Sequence, residues 1–296
     1  MIYDFSSCTL CPRNCKADRT KAVGLCGTGD KIKVAKAYLH MWEEPCISGK
    51  NGSGTVFFSG CNLKCCFCQN YKISHKVYGR EITAQRLSDI FLKLQEQGAE
   101  NINLVSGSHF IPQIASALDL VKHKLAIPVV YNTGSYEKTE TIKLLDGYID
   151  IYLPDLKYFS SELSLKYSKA ENYFDYASKA ILEMHRQQPK LVFDGDILKK
   201  GIVVRHLMLP KCRHDSLKII DWIYKNLPQK KYLISLMSQY TPSYKARFYP
   251  EINRRISTFE YNSVLEKILQ HDINGYFQEK NSADEEYIPD FDLCGI

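Results

Sequence analysis

Thr55-Val56-Phe57-Phe58-Ser59-Gly60-Cys61-Asn62-Leu63-Lys64-Cys65-Cys66-Phe67-Cys68 joins a short apolar run to four cysteines within eight residues. Thr55 to Phe58 reads as a first buried strand, and the cysteine loop follows its C-terminal end. Cys61, Cys65 and Cys68 form a C-x3-C-x2-C set, three thiolates from one loop. A four-iron cluster needs four ligands, so three protein thiolates leave one iron open to a small molecule. A structural zinc would also take thiolates, with Cys66 as a formal fourth. Adjacent Cys65 and Cys66 point in different directions in a short loop, which favours the three-thiolate reading.

Upstream, Ile32 to Leu39 alternates apolar and polar residues as a strand does, and a loop with Pro45, Gly49, Gly52 and Gly54 as breakers leads into Thr55. Downstream, Thr83 can cap a helix with Leu87, Ile90, Phe91 and Leu94 on one face, ending at Gly98. Strands follow at 101–105, 128–131, 149–153, 202–207 and 232–236, the fourth after a turn at Gly195. Helical patterns run around 114–121, 142–145, 162–187, 215–226 and 264–269. This alternation means a parallel sheet of βαβ units. Six such strands are too few for eight units, so the pattern predicts an α/β fold with a partial (β/α)6 TIM-like barrel; an open doubly wound sheet is the alternative. Either fold places function at the C-terminal strand ends. Polar residues gather there: Ser106-Gly107-Ser108-His109, Asn132-Thr133-Gly134, Asp155-Leu156-Lys157 and Ser238-Gln239-Tyr240 each follow a strand, and Arg205 lies inside one.

The chain has 296 residues, 45% hydrophobic and 24% charged, which suits one large α/β domain with a small appendage. The net charge is +6, but no Lys/Arg block is long enough for a nucleic-acid groove. Of 11 cysteines, nine lie in the first 68 residues. An odd count at such short spacings argues against a secreted disulfide scaffold. Met1-Ile2-Tyr3-Asp4-Phe5 lacks a secretory n-region and h-region, and no apolar run reaches membrane-spanning length. The expectation is a cytoplasmic protein. Residues 1–50 read as a cysteine-rich metal-binding segment and linker, and 51–296 as the barrel. Cys8, Cys11, Cys15 and Cys26 have the count and spacing of a complete four-thiolate site, for zinc or an auxiliary iron–sulfur cluster. Cys46, Cys212 and Cys294 read as small buried hydrophobes.

Cys61-x3-Cys65-x2-Cys68, with Phe67 before the last cysteine, resembles the signature of radical S-adenosylmethionine (radical SAM) enzymes. Cys8-Thr9-Leu10-Cys11-Pro12-Arg13-Asn14-Cys15, Trp42-Glu43-Glu44-Pro45, Gly52-Ser53-Gly54-Thr55, Cys68-Gln69-Asn70-Tyr71, Leu209-Pro210, Leu236 to Pro242 and Ile288 to Leu293 are similar to a subgroup related to the pyruvate formate-lyase activating enzyme. The resemblance implies a [4Fe–4S] cluster on Cys61, Cys65 and Cys68, with SAM on the fourth iron. Reductive cleavage of SAM would give a 5′-deoxyadenosyl radical that takes hydrogen from a substrate. By analogy that substrate is a glycine of a partner enzyme; a small molecule or another peptide is the alternative. A non-catalytic iron–sulfur sensor or electron carrier is the contrasting class. The resemblance further implies a low-potential donor such as flavodoxin or ferredoxin.

Carried over by position, the resemblance puts Phe67 and Ser106-Gly107-Ser108 beside SAM, although the glutamate usual in that glycine-rich turn is absent. Asp155 and Lys157 would reach the cofactor, and Arg205 would meet the SAM carboxylate. Met237 to Tyr240, with Gln239, would lie near the adenine or ribose. Asn132, Thr133 and Asp155 match oxygen ligands of a monovalent cation, with Asn132 in place of a carboxylate, and no cation is inferred. His109, His206 and His214 read as core or surface residues, with His109 placed where it could face the cavity.

Overall fold

The computed structural model describes residues 3–278 and 289–296; Met1, Ile2 and Ile288 of the stretches quoted above lie outside them. The alternating run forms β1 (Ile32–His40), and the expected loop contains a short α1 (Pro45–Ser48) before β2 (Ser53–Phe58). All six residues of β2 are buried, as befits a strand inside a sheet covered on both faces. After the cysteine loop come α2 (Tyr71–Ser74) and β3 (Arg80–Ile82). Helix α3 (Ala84–Glu96) starts where Thr83 accepts the Arg86 N–H at 3.1 Å, and it buries Leu87, Ile90, Phe91 and Leu94. Each of those side chains contributes roughly 1.5–3 kcal/mol relative to exposure.

The βα alternation continues through β4 (Ile102–Val105), α4 (Ile111–Val121), β5 (Val129–Thr133), α5 (Thr139–Lys143) and β6 (Ile151–Pro154). Helices α6 (Ser161–Ser168) and α7 (Tyr173–Gln187) fill the expected helical stretch. The turn at Gly195 joins β7 (Val192–Asp194) to β8 (Ile197–Leu207) as an antiparallel hairpin. Then come α8 (Arg213–Asn226), β9 (Leu233–Met237), α9 (Thr258–Gln270) and β10 (Gly275–Phe277). Ser257 and Glu260 form a capping box at the start of α9.

Strands β2, β4, β5, β6, β8 and β9 run parallel in that spatial order, the six-strand partial barrel the alternation predicts. The sheet is open: β10 extends one edge in parallel, while β1 and then β3 add antiparallel strands at the other. β1 lies within the first 50 residues yet pairs with β2, so the sheet crosses the boundary expected there.

Residues 3–30 hold only one turn of 3-10 helix, Phe5–Ser7. They lie over the loops at the strand ends. Arg13 Nε donates to Asn62 O at 2.7 Å, Thr141 Oγ1 to Leu10 O at 2.6 Å, and Lys138 Nζ to Thr9 O at 2.7 Å. Among the described residues no helix is long and apolar enough to cross a membrane.

Candidate cofactor cavity

The parallel strands deliver their C-terminal ends to one cavity of about 270 Å³. Cys61, Cys65, Phe67 and Cys68 enter from the loop after β2, Ser106 and Ser108 from after β4, and Asn132 from the end of β5. Asp155 and Lys157 enter from after β6, Arg205 from within β8, and Gln239 from after β9. Gly107 does not face the cavity: a Cβ there would sit 2.6 Å from Ile114 Cδ1 and 3.4 Å from the Phe58 ring, so glycine lets the turn pack on the core.

The cysteine loop is held by its backbone. Cys61 N–H donates to Cys26 O at 3.2 Å, Cys66 N–H to Tyr167 O at 2.7 Å, and Cys66 O accepts from Lys245 N–H at 2.8 Å. Those bonds, with packing into the apolar core, keep Cys66 off the cavity wall. Cys65 Sγ accepts from Ser168 Oγ at 3.0 Å, and Cys68 Sγ lies 3.1 Å from Ser74 Oγ. Burial pushes the Cys61 thiol up to about 12 and the Cys68 thiol up to about 11. Thiols so buried give up their protons only to a metal, which then neutralises the charge it creates. Among the described residues no three His, Cys, Asp or Glu side chains converge within metal-bonding reach, so the thiols share a wall without closing on a point. Three soft sulfurs with serine hydroxyls against two of them, facing a polar cavity, fit an iron–sulfur cluster better than a hard cation.

Gly60 sets the loop's entry. Its φ is +88°, and a Cβ would meet Thr28 Cγ2 at 2.7 Å and Cys26 O at 2.9 Å. Gly60→Ala therefore combines a left-handed backbone with a backbone clash, and it should destabilise the chain by about 1–3 kcal/mol in a denaturant titration.

Opposite the thiols lies a network of buried charges. Asp155 N–H donates to Thr133 O and Leu156 N–H to Arg205 O, each at 2.8 Å, so the ends of β5 and β8 fix Asp155 from both sides. Its carboxylate accepts Lys157 Nζ at 2.6 Å and Arg205 Nε at 2.8 Å. Burial alone would raise the Asp155 carboxyl, but Arg205 and Lys157 outweigh it and hold it below the usual range. Arg205 also donates to Glu43 Oε1 at 2.6 Å and to Asn132 Oδ1 at 2.7 Å. Each edge of its guanidinium thus has an acceptor within the protein. Asn103 and Asn132 side-chain amides both donate to Glu43 Oε2 at 2.9 Å. The Asp155 carboxylate thus faces two cationic side chains.

Glu43 is the cavity residue that sequence reasoning left without a role, although the Trp42-Glu43-Glu44-Pro45 stretch pointed to it. His40 also lines the wall, and burial lowers its pKa. Behind Glu43, burial pushes the Glu44 carboxyl up to about 7. The folded-state value lies above the unfolded one, so the neutral acid's contribution is complete below about pH 4.5 and is lost as pH rises towards 7. Glu44→Gln should remove about 3 kcal/mol of that pH dependence, read as the change in unfolding free energy between pH 4 and pH 8.

Cys294 departs from expectation, and His109 is a core residue, as read, that does not face the cavity. His109 is buried off the cavity, with Nε2–H donating to Ser59 O at 2.8 Å, and burial pushes its pKa down to about 3. Cys294 is exposed, while Cys46 and Cys212 are buried. His206 is a core residue between Leu156 O and Ser216 Oγ, and His214 is exposed. Glu137, which no sequence pattern flagged, is buried beneath the turn after β4. It accepts from Ser108 Oγ at 2.5 Å, Thr133 Oγ1 at 2.6 Å and Tyr131 OH at 3.0 Å.

The sequence profile of the radical SAM superfamily matches residues 55–208. An uncharacterized protein of Methanocaldococcus jannaschii is 32% identical over 281 residues, 91% of this chain and 76% of that protein. Among solved structures, Streptococcus suis SuiB bound to its precursor peptide SuiA has a TM-score of 0.51 at 16% identity, covering 74% of this chain. This chain spans only 46% of SuiB, about half its length. A radical SAM methyltransferase from Sphaerobacter thermophilus has a TM-score of 0.52 at 14% identity, over 78% of this chain and 68% of that one. At these identities the two structures share the fold, a partial barrel with an unclosed sheet.

Proposed function

The chain belongs to the radical SAM superfamily, whose cofactors are a [4Fe–4S] cluster and SAM, and from that premise we propose that it abstracts hydrogen from a glycine Cα of a partner protein. A bound cluster would supply, with one electron from a low-potential donor, the reductive cleavage of SAM to methionine and a 5′-deoxyadenosyl radical. In this reading Cys61, Cys65 and Cys68 hold the cluster. Ser106 and Ser108 flank the methionine end of SAM. The Asp155–Lys157–Arg205–Glu43–Asn132 network orients SAM through its remaining hydrogen-bonding capacity, because the guanidinium of Arg205 is already engaged on each edge. Phe67 sits edge-on to Tyr240 with ring centroids 5.7 Å apart, and with Gln239 it borders the nucleoside side. The elaborate charged cradle argues against a bare electron carrier, which needs no cosubstrate site.

The observation that carries the choice of target is the exposed apolar rim of the cavity, where a peptide loop can present one Cα at the mouth. Trp42, 62% exposed, lines that cavity beside exposed Met41 and offers an apolar contact for such a loop. The test supplies protein and small-molecule fractions of an extract labelled with deuterated glycine, together with SAM and dithionite, and follows deuterium into 5′-deoxyadenosine. Label from the protein fraction is expected; label from the small-molecule fraction alone would replace the glycyl target with a metabolite.

A further inference from the structure

The side chains that the cavity leaves unused gather between residues 8 and 28. A Cβ on Gly24 would lie 3.4 Å from Cys26 Sγ and 3.5 Å from Cys15 Sγ, so those two sulfurs flank one point. Cys8 Sγ is 3.7 Å from Arg19 Nη1, and Cys11 lies within electrostatic reach of Cys8 and Cys26. Cys8, Cys15 and Cys26 thus lie beside the Arg19 side chain with Cys11 near two of them, and, like the cavity thiols, the four share one region without closing on a point.

Arg19 is the unexpected partner. It is 1% exposed, and among the described residues it forms no ion pair with a carboxylate. Its guanidinium donates to Gly29 O at 2.6 and 3.1 Å, to Thr28 O and Thr28 Oγ1 at 3.3 Å each, and to His109 O at 2.8 Å. The Phe5 and Phe110 rings lie 4.8 and 5.7 Å from it. These partners satisfy its hydrogen bonds but bring no negative charge. A buried guanidinium without an anion is strongly unfavourable, and the sulfurs beside it can supply one. Four thiolates around a zinc ion or an iron–sulfur core outnumber its positive charge and leave the centre anionic.

We propose that Cys8, Cys11, Cys15 and Cys26 bind a tetrathiolate metal centre, zinc or iron–sulfur, with Arg19 as its buried counter-cation, and that this centre props the cofactor loop. The prop is direct. Cys26 O accepts the Cys61 N–H at 3.2 Å, and Thr28 and Cys26 fill the space beside Gly60. Arg19 donates to His109 O while the His109 ring donates to Ser59 O, so a second path reaches the same turn. The prop rests on the function proposed above; the metal site stands apart from it.

The experiment uses the full chain carrying Cys61→Ala, Cys65→Ala and Cys68→Ala, purified anaerobically, so radical chemistry plays no part. Elemental analysis should find about one zinc or about four irons per chain. Visible absorbance marks iron, and its absence marks zinc. Adding Cys8→Ser and Cys26→Ser should remove that metal. Arg19→Leu in the same background should lose metal to EDTA about tenfold faster or more, with Arg19→Lys in between. No metal in the starting variant overturns the site, and an unchanged loss rate in both Arg19 variants overturns the counter-cation. If Arg19→Leu does not fold, the Arg19→Lys rate alone decides. With the loop cysteines restored, Cys8→Ser with Cys26→Ser should speed hydrogen exchange at the Cys61 amide, and unchanged exchange overturns the prop.

Discussion

Replacing Cys61, Cys65 and Cys68 together with alanine abolishes 5′-deoxyadenosine formation while the chain stays folded. The loss should be total, because one-electron cleavage of SAM has no other route once the cluster's ligands are gone. The fold should survive because the loop's path is set by backbone bonds from Cys61 to Cys26, from Lys64 to Ser168 and from Cys66 to Tyr167, together with Arg13 against Asn62. None of these uses a sulfur. Circular dichroism and anaerobic product analysis on one preparation check both halves. Cys66→Ala should keep activity, since that side chain is buried away from the cavity.

Arg205→Leu is expected to cost about 3–5 kcal/mol of unfolding free energy, because it leaves Glu43 and Asp155 in a buried site without their shared cation. Asn132 Oδ1 also loses its donor. Arg205→Lys should recover only part, since one ammonium cannot reach three acceptors spread around a planar fork. Adding Glu43→Gln to Arg205→Leu should restore part of the loss by removing one stranded charge. A denaturant titration of the single and double variants measures this; equal stability of Arg205→Leu and the parent would show that the network contributes nothing to the fold.

Both predictions act on residues that differed in how legible they were. Asp155, Lys157 and Arg205 stood out because polar residues at strand ends interrupt an otherwise apolar rhythm, and the six parallel strands followed from the same rhythm. Glu43 was hidden because its role depends on Arg205, 162 residues away, and no local pattern encodes that meeting. Glu137 likewise takes its meaning from Ser108, Tyr131 and Thr133, which converge only in the folded sheet. Strands β3 and β10 have three residues each, too few to show a period. His109 follows a strand, as the cavity residues do, but the turn after β4 rotates it towards Ser59.

Anaerobic incubation of the iron-loaded chain with SAM and dithionite tests the central claim most directly. Methionine and 5′-deoxyadenosine should appear in equal amounts and depend on Cys61, Cys65 and Cys68. Intact SAM in the presence of a fully reduced cluster would contradict it.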